Sequence, residues 1–164
     1  ALNYYDEVIN INGNNPFYHI NKGVLQADMI DFISSMDNNV RVLTLDNSTT
    51  TKTRVQDGSR RNYDYSAAIE EMKTAAELAP DFPYTYYNLG NLSCLNDNLP
   101  DAIAQYTKAL ELYSNIPEAY YNRGLIQIYL QDKEKGCLDI SMAGELGISD
   151  AYSVIKKYCT ETIE

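Results

Sequence analysis

Few residues in this sequence are equipped for chemistry. There is one histidine, His19, and three cysteines, Cys94, Cys137 and Cys159. Catalysis needs a nucleophile beside a base, a carboxylate pair in a cleft, a metal cluster or a cofactor loop. No GxxxxGK, GxGxxG, HExxH, CxxC or GxSxG segment occurs. One helical turn either side of His19 lie Asn15, Pro16, Lys22 and Gly23, so no acid or thiol on its own face completes a ligand set or an acid–base pair. The expectation is a packed histidine, with no catalytic group, metal site or cofactor. The cysteines are odd in number and unequally spaced, which argues against a complete disulfide framework or zinc pairs and fits buried thiols in either redox compartment. Cys94 is expected to be inert: no histidine is at hand to lower its pKa, and nearby Asp97 would raise it.

The bulk composition narrows the partners. The 164 residues carry 13 Lys plus Arg against 23 Asp plus Glu, a formal charge of −10. Phosphate backbones and acidic membrane surfaces are bound through clustered cations, so nucleic acid is excluded as the main partner. No apolar run approaches the ~20 residues that span a bilayer, and the opening ALNYYDEVIN has neither the basic start nor the apolar stretch of a signal peptide. No direct membrane insertion is expected. Hydrophobic residues make up 45% of the chain, enough for a core.

The elements that would build that core repeat themselves. YTYYNLGNLSCL and EAYYNRGLIQIY align without a gap, placing Gly90 and Gly124 34 residues apart. Each is followed by a turn and a second amphipathic segment, PDAIAQYTKALELY and EKGCLDISMAGELG. At matching phase these carry small residues seven apart, Ala102 with Ala109 and Gly136 with Ala143, around Tyr106 and Ile140. Small residues at that spacing let a neighbouring helix approach closely while the residue between them wedges in. The pattern predicts helix–turn–helix units.

These residues resemble the tetratricopeptide (TPR) family, with its 34-residue repeat of aromatic, Leu-Gly, Ala, aromatic, Ala and closing Pro. The resemblance implies an all-α, right-handed solenoid of antiparallel helix pairs, with clear repeats at 83–116 and 117–150. Counting back from Pro83 puts Ala68, Met72, Ala75 and Pro80 at positions 20, 24, 27 and 32, so YSAAIEEMKTAAELAP reads as a second helix. Tyr86 and Tyr120, at position 4, read as core. Upstream, Pro16 starts a repeat with Gly23 at position 8, and residues 1–15 read as half of a preceding repeat, making the chain a piece of a longer one. At the far end, Ala151 opens a capping helix, 151–164, with Lys156 and Lys157 on its wet side. Its closing segment resembles the ends of multi-repeat bacterial TPR proteins, some of them exported. The compartment stays open between cytoplasm and periplasm, with a lean to periplasm from that resemblance.

Between Pro16 and Pro83 two assignments compete. The favoured one has two repeats, 16–49 and a degenerate 50–82, with Ile33, Met36, Val40 and Leu43 striping a second helix over 33–45. The rival is one repeat interrupted by an insertion of about 33 residues between its helices. Either way, 46–63 is a degenerate helix or a loop. Within it, Asn47 to Arg61 is basic in an acidic protein, holding Lys52, Arg54, Arg60 and Arg61. It reads as a solvated loop, with a second contact site or a flap over the groove as the alternative.

In TPR proteins the first helices line a concave groove through positions 2, 5, 6, 9, 12 and 13. The resemblance therefore implies a peptide-binding groove containing Tyr84, Tyr87, Asn88, Asn91, Leu95, Tyr121, Asn122, Leu125, Ile128 and Tyr129. Phe17, Ile20, Asn21, Val24, Ala27 and Asp28 are the counterparts in the first repeat, and Glu118 and Cys94 complete the set. None of these is Lys or Arg, which disfavours a carboxylate-clamp ligand. The expected function is a protein-interaction module taking a neutral or basic peptide or helix, without catalysis. The alternative is a structural or self-assembling segment of a larger envelope or scaffold protein.

Overall fold

The computed structural model describes residues 1–36 and 63–160. Within them the chain is all α: α1 (Leu2–Ile11), α2 (Pro16–Met36), α3 (Ser66–Leu78), α4 (Pro83–Leu95), α5 (Leu99–Leu112), α6 (Pro117–Tyr129), α7 (Lys133–Glu145) and α8 (Ala151–Val154), which continues as a π turn, Ile155–Cys159. No strand occurs among the described residues.

Prolines start α2, α4 and α6, where the missing N–H is one the helix leaves unbonded anyway. The tight turns that fold α4 back onto α5 and α6 back onto α7 use a left-handed residue at the same phase, Asp97 (φ 61°) and Gln131 (φ 69°). In each turn a backbone N–H reaches back to close the helix: Asn98 to the Ser93 carbonyl at 2.8 Å, and Asp132 to the Gln127 carbonyl at 2.9 Å.

Helices pair α2 with α3, α4 with α5 and α6 with α7, and the pairs stack in chain order, with α1 on α2 and α8 on α7. The contact points are those the repeat register picks out. A Cβ on Gly90 would lie 2.5 Å from the Tyr106 ring, and one on Gly136 would lie 2.6 Å from Ile128 Cγ1 and 2.8 Å from the Gly124 carbonyl. Ala102 and Ala109 are fully buried. Among the described residues the interior falls into three apolar clusters in series, centred on Met72 between α2, α3 and α4, on Tyr106 between α4, α5 and α6, and on Ile140 between α6, α7 and α8. Tyr86 and Tyr120 sit half-buried at the edges of these clusters.

The pairing of α2 with α3 bears on the interrupted stretch. A Cβ on Gly23 would meet the Ala68 carbonyl at 3.0 Å and Met72 at 3.2 Å, and the buried Tyr65 hydroxyl donates to Asp31 Oδ1 at 2.9 Å. Lys22 bridges to Glu71 at 2.5 Å, and Arg123 to Asp139 at 2.6 Å. In the repeat register both bridges join position 7 to position 23, so α3 mates with α2 as α7 mates with α6. That is the pairing of the rival assignment. Of the second helix expected at 33–45, residues 33–36 instead continue α2, and the remainder lies outside the described residues, together with the basic segment 47–61.

The lone histidine is packed, as its neighbours implied, but it is not idle. His19 lies buried between the α1–α2 turn and α3, with Nδ1 2.7 Å from Glu71 Oε2 and Nε2 3.0 Å from the Gly13 carbonyl. Its acidic partner comes from another helix, which spacing within α2 does not reveal.

Candidate peptide-binding face

The first helices of the pairs, α2, α4 and α6, present the face expected of a groove, and its residues fall into three groups. The first is open to solvent. Tyr84 is 44% exposed and Tyr129 60%, with Phe17, Val24, Asp28 and Glu118 also exposed. Phe82 bridges Phe17 and Tyr84, its ring 5.4 Å from the first and 5.9 Å from the second. An aromatic edge therefore runs from the start of α2 to the start of α4.

The second group is half-buried and already engaged. Asn91 accepts a hydrogen bond from the Tyr106 hydroxyl at 2.7 Å, and Asn122 donates to Asn91 Oδ1 at 3.2 Å and to Tyr106 Oη at 3.4 Å. The two asparagines thus join α4 to α6 across a buried phenol, and only what remains of their capacity faces outward. Tyr87 lies against Tyr106, ring centroids 6.0 Å apart. Burial pushes the Tyr87 hydroxyl above its ordinary value, and the Tyr106 hydroxyl well above. Asn88 is half-buried, and Leu95 packs against the first apolar cluster.

The third group departs from expectation. Tyr121 and Leu125 are only 5% and 8% exposed, because Ala151 and Val154 of the cap close over them, and Ile128 is drawn partly into the same cluster. Burial, then the Asp150 carboxylate, raises the Tyr121 hydroxyl. The register sets these side chains on one face of α6, and the next element covers that face.

Cys94 sits beside the same phenol, Sγ 3.6 Å from Tyr106 Oη, and burial pushes its thiol up to about 11. Burial, and not Asp97, is what raises it. The other two cysteines correct the reading of free thiols: Cys137 on α7 and Cys159 at the end of the π turn form a disulfide.

Among the described residues, no cation of these first helices stands free. Lys22 is the only Lys or Arg of α2, Arg123 is the only one of α6, and α4 has none. Lys22 is held by Asp6 at 2.8 Å and Glu71. Burial alone would lower its ammonium, but hydrogen bonds and charge from those two carboxylates raise it. Arg123 forks onto Asp139 through Nε and Nη2, at 2.6 and 2.8 Å, and donates through Nη1 to Thr107 Oγ1 at 2.9 Å. No cluster of metal-ligating groups occurs among the described residues.

A ladder of paired helices with a shared first-helix face defines a class, the TPR-like repeat scaffold, and comparison with known proteins agrees. The SHNi-TPR family model matches residues 83–119. A solved structure of a MamA RS-1 ArsTM double mutant is similar to this chain at TM-score 0.63 and 15% identity, over 91% of this chain and 65% of that one. The chain thus spans just under two thirds of that protein's length, and the likeness is one of fold. A MamA crystal structure aligns over 93% of this chain and 90% of its own, at 16% identity and TM-score 0.49. No curated protein matches the sequence. The chain is built of TPR-like repeats, a scaffold that generally serves protein interaction and is typically non-catalytic.

Proposed function

We propose that the face formed by α2, α4 and the start of α6 binds a neutral or basic segment of a partner polypeptide and performs no catalysis. The observation that carries this reading is the pairing of aromatic edge with charge. Phe17, Phe82 and Tyr84 form a partly exposed aromatic run, Asp28 and Glu118 stand exposed beside it, and Lys22 and Arg123 are both engaged by internal carboxylates. Tyrosine offers broad contact area at low entropic cost, and exposed carboxylates favour a cationic ligand. Titration calorimetry against lysine-containing and glutamate-containing amphipathic peptides of equal length tests it. The lysine peptides should bind more tightly, Tyr84→Ala should weaken them about tenfold, and Glu118→Lys should weaken them in a salt-dependent way. Equal affinity for both peptides, or no binding to either, would remove the reading.

The structural alternative draws on a different surface. Leu138, Met142 and Tyr152 are exposed on α7 and the cap, and exposed apolar groups of this kind favour self-association. Sedimentation over a concentration range separates the two functions.

A further inference from the structure

We propose that the Cys137–Cys159 disulfide is a redox clasp that holds the cap formed by α8 and its π turn, 151–159, over Tyr121 and Leu125 of α6, and that reducing it uncovers them. Four observations converge on this. The cap is slight: one α-helical turn, Ala151–Val154, and a π turn, Ile155–Cys159, closed by the Thr160 N–H on the Ile155 carbonyl at 3.1 Å. What it buries is specific, since Ala151 and Val154 share an apolar cluster with Tyr121, Leu125, Ile140 and Ala143, with Ile155 and Tyr158 packed at its border. The tether is placed to matter, joining α7 to the last residue of the π turn across a sequence separation of 22, with Cα atoms 5.6 Å apart. Finally, the third thiol stays out of the exchange, because Cys94 is half-buried beside Tyr106 and its raised pKa leaves little thiolate at neutral pH.

A helix of this length is marginal alone and keeps its shape through packing and tethering. Cross-linking removes open conformations from the ensemble, so cutting the bond returns them. The reaction is ordinary exchange with an external dithiol. Its thiolate attacks one sulfur, the S–S bond breaks, and its second thiolate resolves the mixed disulfide. The dithiol is oxidised, while Cys137 and Cys159 each take up a proton as thiols. The closed form belongs to an oxidising compartment, the open form to a reducing one.

The proposal relies on the peptide-binding reading only for the name of the face uncovered, so its test uses no peptide. Hydrogen exchange is followed by mass spectrometry on the air-oxidised chain, on the chain in excess dithiothreitol, and on the Cys137→Ser/Cys159→Ser double variant. Exchange over 151–159 should rise at least tenfold in the second and third samples, with a smaller rise over 121–128 and none over 83–112. Three results would overturn it: unchanged exchange in the cap after reduction, loss of protection throughout 83–112, which makes the bond a global staple, or alkylation of both cysteines in the air-oxidised chain.

Discussion

The first helix pair, α2 with α3, and the last, α6 with α7, are fastened by the same two charges at the same phase, Lys22 to Glu71 and Arg123 to Asp139. Their connections differ greatly. Three residues, 130–132, separate α6 from α7, whereas residues 37–65 intervene between α2 and α3. Docking of a pair is therefore encoded in the facing helices and not in the length of chain between them. The middle pair dispenses with the bridge, carrying Leu89 and Gln105 at those positions, and relies on the Tyr106 wedge. Polar fastening in the outer pairs and an aromatic wedge in the middle one are alternative solutions to a single packing problem.

That contrast can be broken most forcefully at Arg123. Arg123→Ala leaves the Asp139 carboxylate buried and uncompensated and should cost about 3 kcal/mol in denaturant unfolding. Lys22→Ala should cost about half as much, roughly 1.5 kcal/mol, since Asp6 is half exposed and water replaces part of what is lost. Equal losses would show that the two bridges are solvated alike. Gly136→Ala should cost about 2 kcal/mol, because the added methyl meets the Gly124 carbonyl and Ile128 backbone, which cannot step aside.

In the middle pair, Tyr106→Phe should cost about 1 kcal/mol by removing the hydroxyl that bonds both Asn91 and Asn122. It should also flatten the alkaline limb of the stability curve. Cys94, Tyr87, Tyr106, Tyr121 and Lys22 all have folded-state values above their unfolded ones. Below the unfolded values each is protonated in both states and its stabilising share is complete. As pH rises, the unfolded chain releases protons that the folded chain keeps, and stability falls. For Cys94 that window runs from 9.0 to about 11. Circular dichroism at fixed urea across that range should show a loss that Tyr106→Phe makes shallower. The smallest effect is a gain: Gln131→Gly relieves a left-handed backbone at the α6–α7 turn and should add about 0.5 kcal/mol.

Much of this was legible in the sequence because a 34-residue rhythm is a statement about which faces must meet. Gly90 against Tyr106, and Ala102 and Ala109 against their neighbours, follow from phase alone. Phase also puts Tyr121 and Leu125 on one face of α6, but they lie beneath the cap, and no single-helix pattern says what a later element covers. Asn91 and Asn122 look like ligand-facing amides until Tyr106 is seen to satisfy them. The disulfide was missed because an odd cysteine count says nothing about which two approach. The charge bridges left a usable trace: Lys22 and Arg123 each precede the packing glycine, Gly23 and Gly124, and comparing position 7 with position 23 across repeats would have paired α2 with α3.

Among the described residues the apolar interior lies in three beads on a string, each shared by neighbouring pairs and none spanning them all. A molecule so built need not melt all at once. Warming should fray it inward from whichever end bead is loosest, so that its calorimetric and van't Hoff enthalpies part company.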